Sequence, residues 1–159
     1  MLVQLNRHIG DRSFAATATD LPMNPAHLPA GPRPTVAVFG HTGRVPGLTH
    51  HLPTGWLVRH PADLDGVAPG DLVLLAGATI GDVTMARRVL PARTQVVALV
   101  DDAAPAEMVA GVLTAGADVC VRGGQPAILA SHLVACRRRQ LSEHWADIEA
   151  GLEAALPRL

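Results

Sequence analysis

The segment Asp71-Leu72-Val73-Leu74-Leu75-Ala76-Gly77 is a short apolar run that a glycine ends. Apolar and polar residues do not alternate along it, which is typical of a strand covered on both faces. Four further runs of this kind lie at residues 35–39, 56–59, 95–100 and 118–121. Strands of this type belong to parallel sheets with helices on either side, so the sequence predicts five parallel strands.

Segments compatible with helices separate the later runs. Residues 83–90 and 105–115 form two of them, and the longest begins at Gln125. Asp and Asn residues favour the position before a helix, because their side chains accept hydrogen bonds from free backbone N–H groups. We therefore expect Asp101 or Asp102 to cap the helix over 105–115.

The stretch between the first two strands is interrupted by Gly43, Pro46 and Gly47, which predicts a short or distorted helix there. Over residues 61–67 the sequence predicts only a single turn or a loop. Chains that alternate in this way connect their strands by right-handed crossovers. The predicted class is α/β, with a five-stranded, parallel, doubly wound sheet and an extended C-terminal helix.

The chain divides by composition into three parts. Prolines predict an irregular N-terminal arm over residues 1–33, with one short edge strand within residues 2–5. The α/β domain is predicted over residues 34–140, and a C-terminal helical extension over residues 141–159. Two cysteines are too few for a disulfide framework, and the sequence has neither a signal-peptide core nor a membrane-spanning run. We expect a soluble, cytoplasmic protein without membrane association.

Composition excludes several classes of function. All 13 basic residues are arginines, and against 14 Asp and Glu they leave a formal net charge of -1. Tyrosine is absent and aromatic residues make up 3% of the chain, which excludes the stacking platforms that bind single-stranded nucleic acid. The basic run at 137–139 is predicted to be a solvated helix face, so no direct nucleic-acid binding is expected. The lack of lysine excludes Schiff-base chemistry and a Walker A loop.

The second half of the chain carries an ordered set of segments. The runs at 71–75 and 96–100 precede Gly116-Ala117-Asp118-Val119-Cys120-Val121, and a helix with Arg137-Arg138-Arg139 follows. This order resembles the receiver domain of bacterial response regulators over roughly residues 35–140. The Gly-Ala-Asp turn is the most specific part of the match. The resemblance implies a flavodoxin-like sheet of order 2-1-3-4-5 with helices on both faces.

A working receiver uses an acidic pair after strand 1, a phosphoacceptor Asp after strand 3, a Ser or Thr after strand 4 and a Lys after strand 5. Here these positions fall on Gly40 and His41, Ala76, Val100 and Gly123, none of which supplies the required group. The resemblance therefore implies a pseudo-receiver without aspartyl-phosphate chemistry. We expect no catalytic residue, no metal and no cofactor, and a degenerate pocket open to a small-molecule effector.

The turn Gly40-His41-Thr42-Gly43-Arg44-Val45-Pro46 permits a different interpretation. It resembles the Gly-x-x-Gly-x-x-Gly turn of atypical short-chain dehydrogenase-like proteins, with Arg59 in the place of an NADP-type arginine. Pro46 replaces the third glycine, and the chain has no Tyr or Lys for catalysis. A small NAD(P)- or nucleotide-binding Rossmann-like protein that uses Gly40–Gly43 is the alternative hypothesis.

Histidine and cysteine side chains can bind metal ions, and cysteine thiols can act as redox centres. His41, His50, His51 and His60 lie in one region, but their spacing matches no compact pair of zinc ligands. Surface loops are their predicted location. Cys120 falls in a predicted strand and is expected to be a buried, inert thiol.

An apolar stripe marks the C-terminal extension. Leu141, Trp145, Ile148 and Leu152 follow one another at intervals of four, three and four, and Val134 lies one heptad before Leu141. A mean spacing of about 3.5 residues is the pattern of a coiled-coil seam. The stripe is predicted to form a homodimer or to bind a partner protein, with help from the face that the last strand and last two helices form. Packing on the same chain is the alternative.

These features predict a non-catalytic, phosphorylation-independent signalling module that acts through dimerisation or partner binding. In receivers that carry a DNA-binding output domain, a helix of this kind is the linker. The chain is therefore also interpreted as the receiver part of an atypical transcriptional response regulator in a bacterial two-component system. A scaffold whose whole role is the C-terminal helix is a third hypothesis.

Overall fold

The computed structural model describes residues 32–155 and has an α/β fold. Within this range its strands are β1 (Thr35–Gly40), β2 (Leu57–Arg59), β3 (Leu72–Ala76), β4 (Val96–Val100) and β5 (Val119–Arg122). Its α-helices are α1 (Leu48–His51), α2 (Ile80–Val89), α3 (Ala106–Thr114) and α4 (Pro126–Ala155), and short 3-10 turns occur at Thr42–Arg44 and Leu64–Gly66. The predicted edge strand at residues 2–5 and nearly all of the predicted arm lie outside the described residues.

The five strands form one parallel sheet of order β2-β1-β3-β4-β5, which confirms the predicted fold class. The order in which the strands follow one another across the sheet changes direction between β1 and β3, which lie side by side near its centre. Gly40 at the end of β1 is the register partner of Ala76 at the end of β3. All strands therefore end at the same edge, where ligands of such sheets usually bind.

Alternate strand residues point into two separate cores, one on each face of the sheet. On one face α1 and α4 cover the sheet, and the side chains at its centre are Val38, Leu74, Leu99, Leu129 and Leu133. On the other face α2 and α3 cover it, around Val73, Val83, Val96, Ala98 and Val112. The apolar runs lack alternation because both faces of the central strands are buried.

The edge strands differ from the prediction that every strand is covered on both faces. β2 has three residues, and Leu57 in it is 41% exposed. The reason is that the segment after β2 forms only the 3-10 turn Leu64–Gly66 rather than a covering helix. In β5 only Val121 is fully buried.

Two helix starts also differ from the prediction. α2 begins at Ile80, three residues before the predicted start, because Thr79 and Asp82 form a capping box. The residue before α3 is Pro105, with no side-chain cap. The expectation that Asp101 or Asp102 caps this helix is therefore wrong, and Asp101 pairs with an arginine instead.

The helix α4 runs for 30 residues without a break, across the predicted boundary at residue 140. Its length is about 45 Å at 1.5 Å per residue, whereas strands of up to six residues span only about 20 Å. Its buried residues lie between Leu129 and Cys136, and every described residue from Leu141 onward is exposed. About half of the helix therefore projects beyond the sheet. Between residues 32 and 155, no helix combines the length and apolar character that crossing a bilayer requires.

Candidate functional site

The carboxyl edge of the sheet carries all five positions that the receiver resemblance singles out. Gly40, Ala76 and Val100 are the last residues of β1, β3 and β4. His41 and Gly123 directly follow β1 and β5. The strand ends thus hold the residues where a receiver would carry its phosphorylation site.

These positions are divided between two hollows. One hollow, of about 330 Å³, is lined by Gly40, His41 and Ala76 together with residues of α2. The other, of about 250 Å³, is lined by Val100 and Gly123 and by loop residues. The expectation of a single degenerate pocket is therefore replaced by two small hollows at one edge.

The backbone donors at the end of β3 are already bonded within the protein. The N–H groups of Gly77 and Ala78 both donate to the carbonyl oxygen of Leu99, each at 2.9 Å. The N–H of His41 donates to the carbonyl oxygen of Ala76, also at 2.9 Å. A phosphoryl group bound here would need such donors to balance its charge. The amides nearest the acceptor position offer none.

The first carboxylate after the acceptor position has a structural role. Ala76 is 2% exposed and presents only a methyl group. Asp82 accepts hydrogen bonds from the backbone N–H of Thr79 at 2.9 Å and from its hydroxyl at 2.8 Å. These bonds cap α2. Asp82 is therefore committed to the start of this helix.

An ion pair closes part of the second hollow. The guanidinium of Arg44, in the 3-10 turn after β1, lies 2.6 Å from the Asp101 carboxylate, which follows β4. The strands β1 and β4 flank β3, so the pair links the segments on either side of it. Asp102 lies beside Gly123, within 4 Å of where a β-carbon would be. Both side chains of the ion pair are exposed, so its contribution to stability is below about 1 kcal/mol.

The glycine-rich turn after β1 lacks the geometry of a dinucleotide site. The chain forms a 3-10 turn around Gly43, and Gly47 precedes the four-residue helix α1. A helix this short supplies little of the dipole that attracts a pyrophosphate. Arg59 is engaged locally, because it donates to the Gly66 carbonyl at 3.4 Å and lies 3.7 Å from the Asp71 carboxylate.

These four histidines lie on the surface in three separate segments. His41 follows β1 and His60 follows β2, whereas His50 and His51 end the helix α1 and do not lie in a loop as predicted; all four are exposed. Among the residues that the structure describes, His, Cys, Asp and Glu form no group of three or more that could hold a metal ion.

The two thiols lie in the fold's interior to different degrees. Cys120 is half-buried rather than fully buried as predicted, because β5 is an edge strand. Burial raises its pKa, and the nearby Arg122 charge offsets part of this rise. Burial also raises the pKa of Cys136, against the lowering effect of Arg139 and with a smaller contribution from Asp118. Raised pKa values keep both thiols protonated and poorly nucleophilic near neutral pH.

The apolar stripe of α4 is exposed where the helix leaves the sheet. Leu141 is 43% exposed, Trp145 63%, Ile148 38% and Leu152 63%, whereas Val134 is half-buried against the domain. Isolated apolar residues on a surface are ordinary, but four on one face of a projecting helix form a patch that is unfavourable in water. Within residues 32–155, packing against the domain does not bury this stripe.

The base of the projecting half is fixed to the amino edge of the sheet. Arg137 donates to the Gly70 carbonyl oxygen at 3.2 Å and to the Gln140 side chain at 2.7 Å. Arg93, in the loop before β4, pairs with Asp147, six residues beyond Leu141. The expectation of a solvated face thus holds for the other two arginines of the run, while Arg137 is half-buried.

Sequence reasoning missed Arg87, which holds the Gly-Ala-Asp turn. Its guanidinium donates to the Gly116 carbonyl at 2.6 Å, the Thr94 carbonyl at 2.7 Å and the Asp118 carboxylate at 2.6 Å. Asp118 also accepts from the Val96 N–H at 2.7 Å. The most specific motif of the resemblance is therefore a structural joint between β4 and β5. The ion pair between Arg44 and Asp101 was likewise not predicted from the sequence.

The chain matches no protein-family model, no curated protein and no solved structure.

Proposed function

We propose that this chain is a non-catalytic, receiver-like regulatory module that works through self-association of its C-terminal helix. The observation that carries the proposal is the exposed stripe of α4, which includes Trp145 and Leu152, each 63% exposed. A receiver-like fold supports a regulatory role, although folds of this kind serve many functions. A second copy of the same chain would remove the stripe from water.

We infer that regulation does not use aspartyl phosphate. Three observations support this: Ala76 occupies the acceptor position, the amides around it are bonded internally, and Asp101 is paired with Arg44. Any switch would then come from a ligand or partner that binds one conformation more tightly, because only differential affinity shifts a population. The small hollows at the strand ends are where a small-molecule effector would bind.

Incubation with acetyl phosphate and Mg²⁺ tests the absence of phosphoryl transfer. We expect the intact mass to stay unchanged, because neither the acceptor carboxylate nor the lysine is present. An active receiver treated in parallel serves as the control for the reagent. A stoichiometric phosphoryl adduct on any aspartate would refute this part of the proposal.

Light scattering behind a sizing column tests self-association. We expect the whole chain to be a dimer and the chain that ends at Gln140 to be a monomer, because all residues of α4 in the core precede that point. In the whole chain, Trp145→Ala together with Leu152→Ala should weaken the dimer at least 30-fold, as loss of buried aromatic anchors does, on the order of 2 kcal/mol for Trp alone.

The matched control is Met85→Ala, which removes a 54% exposed apolar side chain from α2. The dimer should be unaffected by this change. A monomeric wild-type chain, or a dimer that survives truncation at Gln140, would show that the helix does not mediate self-association.

A further inference from the structure

The intervals between the apolar residues of the α4 stripe are the same whether they are counted from its first residue or from its last. From Leu141 the intervals are four, three and four residues to Leu152. Two copies of such a stripe align when the helices run antiparallel, because Leu141 then faces Leu152 of the other copy and Trp145 faces Ile148. The twofold axis of this pairing passes between Ala146 and Asp147, in the middle of the projecting half.

The charges along α4 are separated in a way that selects this orientation. Arg138 and Arg139 lie before the stripe, while Glu149 and Glu153 lie near its end, and all four side chains are exposed. Antiparallel helices bring the basic end of one copy to the acidic end of the other. In a parallel pair, Arg138, which lies one heptad before Trp145, would lie in the seam opposite Arg138 of the other copy. Like charges in facing positions are unfavourable.

The geometry of the helix leaves room for this pairing. The overlap from Arg138 to Ala155 is about 27 Å long, and most of it lies in the half that projects from the sheet. The stripe lies about a third of a turn around the helix from Leu133 and Cys136, which pack on the sheet. The antiparallel arrangement also opposes the two helix dipoles, which is electrostatically favourable.

From these observations we propose that α4 pairs with a second copy of this chain as a short antiparallel coiled coil, with Leu141 against Leu152 and Trp145 against Ile148. In this pairing, Arg138 of one copy lies near the end of the other copy's helix, beside its Ala155 and Glu153. The proposal rests on the proposed function, which requires self-association through α4 but leaves the orientation open.

Disulfide trapping between two different chains tests the orientation. In a background of Cys120→Ala and Cys136→Ala, one chain carries Leu141→Cys and another, lengthened by a tag, carries Leu152→Cys. Light scattering first establishes whether each variant is dimeric. We expect the mixture to give a cross-linked species of mixed mass under mild oxidation, and each variant alone to give little.

The outcomes separate the two proposals. Efficient cross-linking of each variant with itself would show a parallel pair and overturn the antiparallel inference, while leaving self-association intact. Dimers that form no mixed cross-link, or that cross-link equally in all combinations, would overturn it as well. Monomers throughout, including the cysteine-free background, would instead contradict the proposed function.

A charge exchange tests the same register without cysteines. Arg138→Glu should weaken the dimer about fivefold, because each dimer would contain the altered contact twice. Adding Glu153→Arg to the same chain should restore the wild-type dissociation constant. The matched control adds Glu143→Arg instead. Glu143 lies off the stripe, about one turn from the middle of the Trp145–Ile148 pairing, so this change should not restore the dissociation constant. Equal rescue by both, or by neither, would contradict the proposed register.

Discussion

Replacement of Gly40 by alanine should destabilise the protein by about 3 kcal/mol or more, because the substitution combines two separate costs. Gly40 ends β1 with φ at +83°, in the left-handed region that L-residues adopt only at a cost. An added β-carbon would also lie less than 3.0 Å from the Ala76 carbonyl oxygen. That oxygen accepts the His41 N–H, so the substitution disturbs a hydrogen bond as well.

Gly43→Ala is the matched control, in the same turn. Gly43 has an ordinary φ, and no atom lies within 4 Å of its would-be β-carbon. We expect the free energy of unfolding to stay within about 0.5 kcal/mol of the wild type, since alanine fits there without strain. Denaturant unfolding of both variants measures the difference. An equal loss of unfolding free energy in both variants would contradict the described geometry of the turn. A loss of nucleotide binding confined to Gly43→Ala would favour the dinucleotide hypothesis.

Arg87→Ala is expected to cost about 3 kcal/mol, because it removes three short hydrogen bonds from a partly buried cation. The Asp118 side chain is 28% exposed and would keep only the Val96 N–H as a partner. A buried or half-buried carboxylate without its cation is unfavourable, which adds to the loss. The carbonyl oxygens of Gly116 and Thr94 would lose their donors too.

Two further variants make the test specific. Arg88→Ala removes the next arginine, which is exposed, and should change stability by less than about 0.5 kcal/mol. Asp118→Asn keeps a side chain that can accept from the backbone of β4 but removes the charge, so an intermediate loss is expected. Thermal and denaturant unfolding should rank them in that order. Equal stability of the Arg87→Ala and Arg88→Ala variants would show that the joint contributes nothing.

The sheet could be predicted from sequence because its signal is local. Each central strand is a short run of apolar residues ended by glycine or a loop, and burial on both faces leaves no alternation. The order of the strands followed from the resemblance, which rests on the Gly-Ala-Asp turn. The residues assigned to the strand ends did meet at one edge, because parallel strands place their carboxyl ends together.

The side-chain partners could not be predicted, because they depend on contacts between distant segments. Arg44 and Asp101 are separated by 57 residues, and Arg87 and Asp118 by 31. An arginine in a helix has no local pattern that distinguishes a solvated side chain from one that holds a loop. The wrong prediction that Asp101 caps α3 has the same origin, because its carboxylate pairs with an arginine from a distant segment.

The half of α4 beyond the sheet behaves as a lever. Core residues and the bond from Arg137 to Gly70 fix its base, the exposed ion pair between Arg93 and Asp147 adds a weak contact along it, and its far end at Ala155 lies about 21 Å beyond Leu141. A rotation of the base by about 10° would displace that end by about 4 Å, a distance comparable to the spacing between packed side chains. A small rotation of α4 at the sheet would therefore produce a larger displacement of its C-terminal end, because the helix moves as a rigid rod.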